Sequence, residues 1–527
     1  MIPANRTGAG AAAASAPAPH GGYAEGVVFH DRNGSGLRDD GDPGVSGVRV
    51  SNGRDVTVSD DAGRWRLPLI GERTVFFVIK PSGWRTPLGA HNLPQFHYIH
   101  DPQGSPELRY DGIAPTGELP ESIDFPLEPQ DDSGAVRVLM CGDPQPRDAR
   151  EIGYLAQSAI PGLAAVPAHF GVTLGDIVSY DLDLFEPVNQ AFALTGLPWR
   201  NLVGNRDLNF DAAGNENAAD TFLRVYGPTY YAFEHGAVHF MVLNNVEWMG
   251  APPGGGRGAY RGRFGGRQLE FIRNELARVP RDKLSVIMMH IPLASPDTDD
   301  ERNNTVDREE FFRAVQGRPN LLTVSAHRHW HGHFFYGEAE GWRGEKPLHH
   351  IIMGVLCGDS FRGAPDDRGV PVAMMTDGTP RGYAVFTFDG PEYHINGWKA
   401  IGRSPSEQIH IEAPNVVSRD ALMDTMIYAN IYNGSERSTA RYRVGGDGRW
   451  RGMERAIEPD PRYVRLYERD QDAGPPYRPP SSPRNCWHLW RALLPADLPE
   501  GAHIIEIESV DMFGAIHRRK RPVRVAR

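Results

Sequence analysis

Short apolar runs broken by polar, glycine-rich and proline-rich segments fill the chain, and their spacing changes twice. Between 23 and 130 the runs are brief and close together: Gly26–Phe29, Val56–Val58, Trp65–Leu67 and Val75–Ile79, each bounded by Gly, Pro, Asn or Asp. This pattern predicts the strands of a small all-β sandwich. Between 134 and 400, apolar runs alternate with helical stretches. Val136–Met140 precedes a predicted helix near Asp148–Leu163, and Val172–Leu174, Leu202–Val203 and Phe240–Leu243 follow. A helix at Arg267–Arg278, with Leu269, Ile272 and Leu276 on one face, leads to Leu284–Met289, a helix at Arg308–Val315 and Leu321–Val324. Such alternation predicts an α/β core. From 402 to 527 the pattern is again β: Gln408–Glu412, Met426–Tyr432, Ala440–Val444, His503–Val510 and Val523–Val525. Gly117–Ser133 reads as a linker, and residues 1–22, an Ala/Pro/Gly-rich stretch, read as unstructured.

Length agrees with several domains, since 527 residues exceed one ordinary core. Hydrophobic residues at 40% and charged residues at 23% are ordinary globular usage, which excludes bulk disorder. The net charge of −11 gives no global attraction to nucleic acid or anionic membrane. No apolar run approaches the roughly 18–20 residues of a membrane span. Three widely separated cysteines, Cys141, Cys357 and Cys486, make neither a disulfide framework nor a zinc ribbon. Met1–Gly22 lacks a charged start followed by an apolar stretch, so it reads not as an intact signal peptide but as unstructured chain or the remnant or replacement of one.

Metal-binding residue types follow the apolar runs of the middle block. They occur in Cys141-Gly142-Asp143-Pro144-Gln145, Gly175-Asp176, Gly204-Asn205-Arg206-Asp207, His290-Ile291-Pro292 and Ser325-Ala326-His327-Arg328-His329. Ligands of open α/β sheets bind beyond the carboxyl ends of strands, so five such tips can converge in space though scattered in sequence. Asp, Asn and His together suit Mn, Fe or Zn better than Ca alone.

In this order the motifs resemble the calcineurin-like metallophosphoesterase superfamily. Gly26–Leu69 resembles the N-terminal accessory domain of a bacterial subgroup of it. Ala429–Gly434, His488-Leu489-Trp490, Leu494–Leu498 and Asp511–Gly514 resemble that subgroup's C-terminal domain. The resemblance implies an α/β core, a four-layer metallophosphoesterase sandwich, flanked by two all-β Ig-like sandwich domains, in a periplasmic or extracellular protein. It implies two metal ions (Mn, Fe, Zn or Mg), one held by Asp143, Gln145, Asp176 and His329 and the other by Asp176, Asn205, His290 and His327. The reaction it implies is hydrolysis of a phosphoester, mono- or diester, by a metal-bridging hydroxide. Arg206 and Asp207 occupy the catalytic motif.

Four positions depart from the superfamily's commonest pattern: Gln145 and Arg206 stand where His is usual, Ser179 where Asp is usual, and Ala326 where Gly is usual. Arg206 can bind phosphate bidentately but has no proton to donate at neutral pH. The rival expectations are a non-catalytic metal-containing binding protein, favoured by Arg206 and Gln145, and a nuclease, disfavoured by the charge.

Outside these motifs, Met249–Gly266 carries Arg257, Tyr260 and Arg261, which read either as substrate-binding groups for an anion or as part of a flexible linker. His331 and His333 continue the alternation after His329 and read as surface or supporting residues; Cys141 reads as a small buried filler. In the first block, Asp31, Asn33, Ser35, Leu37, Asp39 and Asp42 match a calcium-loop spacing, with a polar Asx-rich turn as the alternative.

Overall fold

The computed structural model describes residues 22–251, 258–445 and 449–527. In the first block the predicted runs pair into two four-stranded sheets. Tyr23–His30 lies between Arg64–Pro68 and Phe125–Pro129, and Arg49–Ser51 lies between Val56–Val58 and Thr74–Ile79. Trp65 packs on Phe125 of its own sheet and across the sandwich on Phe76, with ring centroids 5.7 Å apart in both pairs.

The middle block is four layers. One sheet orders its strands Trp199–Asn201, Phe170–Thr173, Val136–Cys141, Gly382–Asp389 and Glu392–Ala400; the first three are parallel and the last two antiparallel. The other orders Tyr231–His235, Val238–Val242, Leu284–Met288, Leu321–Ser325, Leu348–Ile352 and Gly332–Tyr336, with its four inner strands parallel. These inner strands are buried on both faces, which is why they read as continuous apolar runs. Phe170 and Phe388 of the first sheet meet Phe240 of the second edge-on, at 5.3 and 5.5 Å. Phe192, on the helix Phe185–Ala193, covers Trp199 on one outer face; Phe312, on the helix Arg308–Val315, covers Tyr336 on the other.

Three elements differ from the sequence reading. Gly117–Ser133, read as a linker, contains the strand Phe125–Pro129, whose Phe125 and Leu127 are buried in the first sandwich. The helix predicted near Asp148–Leu163 is two helices, Ala149–Ser158 and Ile160–Ala164. Pro161 opens the second, where its missing N–H interrupts the ladder. Leu202 and Val203 lie just beyond their strand, which is Trp199–Asn201; Leu202 N still donates to Thr173 O at 3.0 Å before the chain leaves the sheet.

The last block forms a second two-sheet sandwich with its own apolar core, including Ile427, Ala429, Trp490, Ile505 and Val525. Its helix Pro461–Arg469 was not foreshadowed by apolar periodicity, because Tyr463 is its one buried residue; the Asp460 cap and Pro461 start it. The first sandwich shares an apolar core with the middle block instead. Polar ties reinforce that junction: Arg49 meets Glu234 at 2.8 Å and the fully buried Glu275 at 3.0 Å.

Candidate metal centre

Register brings the predicted tips to one level. Cys141 pairs with Thr173 and Thr173 with Asn201, so three parallel strands end in line before the loops carrying Asp143 and Gln145, Asp176, and Asn205. In the other sheet Met288 pairs with Val324, and the loops that follow carry His290, then His327 and His329. The backbone there is unusual. Asp143 (φ 26), Gln145 (φ 21), Asp176 (φ 49), His327 (φ 71) and His329 (φ 54) all occupy left-handed conformations, as do only six other non-glycine residues among those described. Each such conformation costs on the order of 1–3 kcal/mol and persists where the surroundings impose it. Gly204 is required by close approach: a Cβ there would stand 2.0 Å from Asp176 N.

The seven side chains form one cluster with two halves, buried except at the partly exposed His327 and His329. His290 Nε2 lies 3.3 Å from Asp176 Oδ1, 3.1 Å from Asn205 Oδ1 and 3.2 Å from His327 Nδ1. His329 Nε2 lies 3.3 Å from Asp143 Oδ2 and 2.6 Å from Gln145 Nε2. The halves are joined where His327 N donates to Asp143 Oδ1 at 3.2 Å and Gln145 N to Asp176 O at 3.1 Å. His290 Nδ1 faces Leu174 O at 2.8 Å and His329 Nδ1 faces Gly358 O at 2.6 Å. A carbonyl only accepts, so each Nδ1 carries the hydrogen and each Nε2 is left to the cluster. Burial opposes charge throughout, yet His290 and Arg206 hold the Asp176 carboxyl well below its usual range. Asp176 in turn pushes the buried His290 imidazole up, to about 9.

This donor set fits metal cations. The ligand atoms of Asp176, His290 and His327 lie within 4.8 Å of one another. Gln145 Oε1 is buried with no hydrogen-bond donor, a state that costs about 1–3 kcal/mol and that a cation relieves.

Arg206 lies over the cluster. Its backbone N donates to Asp176 Oδ1 at 2.8 Å, its Nη1 meets Ser179 Oγ at 3.4 Å, and its guanidinium sits 4.9 Å above the Tyr180 ring. Asp207 lies beneath the cluster in a scaffolding place. It is fully buried, and its carboxylate accepts from the backbone N of Ile177, Val178 and Gly204, tying two ligand loops together. Tyr260 approaches His327 edge-on at 6.2 Å, and burial pushes its phenol pKa up, so it stays protonated. Arg261 is engaged by Glu247 at 2.6 Å and Glu301 at 3.8 Å, which leaves its charge compensated rather than offered to an anion. Arg257 lies outside the described residues.

His331 and His333 are not surface residues. Both are buried against the last block: His331 Nδ1 accepts from Gly354 N, while His333 bonds His349 and Asn433 at 3.0 Å each. Cys141 is fully buried, and burial pushes its thiol pKa up, as a filler requires. In the acidic loop of the first block, Asp31 accepts from the N of Gly34, Ser35 and Gly36, and Asp42 from the N of Arg32 and Asp39. Asn33 Nδ2 donates to Asp39, and Ser35 Oγ to Leu37 O, so the loop is closed by Asx-type turns, with the Leu37 side chain exposed. Sequence reading missed Asn303, Asp297 and Arg484. Asn303 Oδ1 lies 3.2 Å from His327 Nε2, and Asp297 and Arg484 stand behind it.

The family model for the C terminal of calcineurin-like phosphoesterase matches residues 350–517, and that for the N terminal matches residues 32–111. No curated protein matches the chain. Among solved structures, a dimetal phosphatase from Danio rerio is 12% identical, with a TM-score of 0.35, over 50% of this chain and 99% of that one. A purple acid phosphatase from yellow lupin (Lupinus luteus) seeds is 11% identical, with a TM-score of 0.37, over 66% of this chain and 71% of that one. Likenesses this slight say nothing of what this chain acts on.

Proposed function

We propose that the chain is a phosphoester hydrolase of the calcineurin-like phosphoesterase kind, whose N- and C-terminal family models it matches, and that it works with two metal ions that share Asp176. Asp143, Gln145, Asp176 and His329 would hold one; Asp176, Asn205, His290 and His327 would hold the other. The observation that carries this reading is the concentration of left-handed backbone at Asp143, Gln145, Asp176, His327 and His329 around a buried, donor-less Gln145 Oε1. When bound, the metals supply Lewis-acid charge and lower the pKa of a coordinated water.

The remaining chemistry belongs to the chain. Arg206, steadied by Ser179 and the Tyr180 ring, neutralises and orients the phosphoryl group. It donates hydrogen bonds without giving up a proton, so the leaving oxygen is not protonated by this residue. Asp207 holds the Asp176 and Asn205 loops in register. The residues that act lie within 134–400, and the two outer sandwiches, which we read as Ig-like, position them. Assay of the metal-loaded protein against an aryl phosphomonoester and an aryl phosphodiester tests the reading. Turnover of either, lost on chelation and restored by Mn, Fe or Zn, is expected. Turnover that is indifferent to chelation in the metal-free protein contradicts it.

A further inference from the structure

His327 differs from the other two cluster histidines. His290 and His329 are oriented by backbone carbonyls, but His327 is oriented by a side chain, Asn303 Oδ1, 3.2 Å from its Nε2. An amide can present either its oxygen or its nitrogen, so something must fix Asn303. Arg328 does so: its Nη1 hydrogen-bonds the same Oδ1. A guanidinium only donates, so the atom facing it must be the oxygen. That oxygen then requires Nε2 of His327 to carry the hydrogen, which leaves Nδ1 as a bare lone pair facing His290 and Asp176.

Arg328 is itself buried and is held by both oxygens of Asp297, at 2.9 Å each. Asp297 is steadied by Ser295 Oγ at 2.7 Å and, across from the last block, by Arg484 Nη1 at 3.0 Å. Arg484 N also donates to Thr376 O at 3.0 Å, so its own backbone is anchored to the middle block. One line of polar contacts therefore runs from the last block to a ligand atom.

We propose that Asn303 is the positioning residue that sets the tautomer of His327, and that Arg484 of the C-terminal domain completes this setting through Asp297 and Arg328. The accessory domain is then part of the metal centre rather than an attachment to it. The inference rests on the two-metal reading above. Outer-sphere partners of this kind typically change metal affinity by about 10–100-fold.

Apoprotein titrated with Zn or Co in competition with a chromophoric chelator tests it, with the Co absorption spectrum as a second readout and circular dichroism as the check of folding. Asn303→Leu should weaken one of the two metals by about 10–100-fold and alter the Co spectrum. Asn303→Asp, which can only accept, should stay within a few-fold of the unaltered protein. Arg484→Ala should weaken the same metal by a smaller factor. If the unaltered protein takes up no metal, the two-metal reading fails and this inference with it. If the unaltered protein binds two metals and folded Asn303→Leu binds both with the same affinity and spectrum, only this inference is overturned. Unchanged affinity in Arg484→Ala, with a loss in Asn303→Leu, overturns the domain's share.

Discussion

Arg206 Nε stands 3.2 Å from Asp176 Oδ2, so a permanent cation, where a histidine was the expected residue type, lies directly on the carboxylate at the centre of the cluster. The pairing places permanent positive charge where a phosphoryl group would enter. It also removes the imidazolium that would protonate a leaving oxygen.

Substrate preference follows from that exchange. Aryl phosphates, whose leaving groups need no proton, should be hydrolysed much faster than alkyl esters. Arg206→Ala should lower kcat for both by a similar factor, about 10²–10³ as for other lost charge-stabilising donors. Arg206→His should raise the alkyl rate relative to the aryl rate. Steady-state kinetics on the paired substrates checks this; equal aryl and alkyl rates in the unaltered protein would point to another general acid.

Gly204→Ala should empty the site although every proposed ligand residue is kept. Its Cβ would collide with Asp176 N at 2.0 Å and Asp176 Oδ1 at 2.3 Å, so the two loops must part. Elemental analysis should find the variant depleted of metal, and full metal content would show that the loops do not need this approach.

Much of this cluster was legible in the sequence because its candidate ligands sit two to four residues beyond strands that read as apolar runs. Asp143 after Val136–Cys141 and His290 after Leu284–Met288 are examples. The supporting residues were not legible. Asn303 lies in a loop 24 residues before His327, with no periodicity around it, and Arg484 is 187 residues from Asp297. Neighbouring charged residues in one motif look alike until burial separates them: Arg206 remains partly exposed, and Asp207 is wholly enclosed by backbone donors. The shared core of the first sandwich and the middle block was equally hidden, since contacts such as Phe77 on Phe271 join distant stretches of chain.

That junction should matter to stability. Arg49 is nearly buried between Glu234 and Glu275, and Glu275 also holds His239 at 3.1 Å. Arg49→Ala leaves a buried carboxylate without its cation, and breaking such a pair typically costs about 3–5 kcal/mol. Urea unfolding followed by fluorescence should show a loss of that order, and a change below about 1 kcal/mol would mean that the contact is solvated.

Acid should weaken the fold before the carboxylates titrate. Burial pushes His97 and His333 down to about 4 and His235 and His350 down to about 3, so each stays neutral in the folded chain while the unfolded chain gains a proton near 6.5. Their folded pKa values are lower than the unfolded ones, so stability is full above about 6.5 and falls as pH drops toward 4. Each contributes a slope of up to about 1.4 kcal/mol per pH unit. Urea midpoints measured from pH 6.5 to pH 4 should decline, and His97→Gln should make the decline shallower. A level midpoint down to pH 4.5 would rule this out.

Metal stoichiometry in the unaltered protein and in Asp176→Ala bears most directly on the shared-carboxylate centre. Both proteins would be dialysed to equilibrium against Mn or Zn and analysed for metal per chain, with circular dichroism confirming the fold. Two metals in the unaltered protein, and loss of both together with turnover in the variant, are predicted. A folded Asp176→Ala protein that keeps two metals and normal turnover contradicts the account.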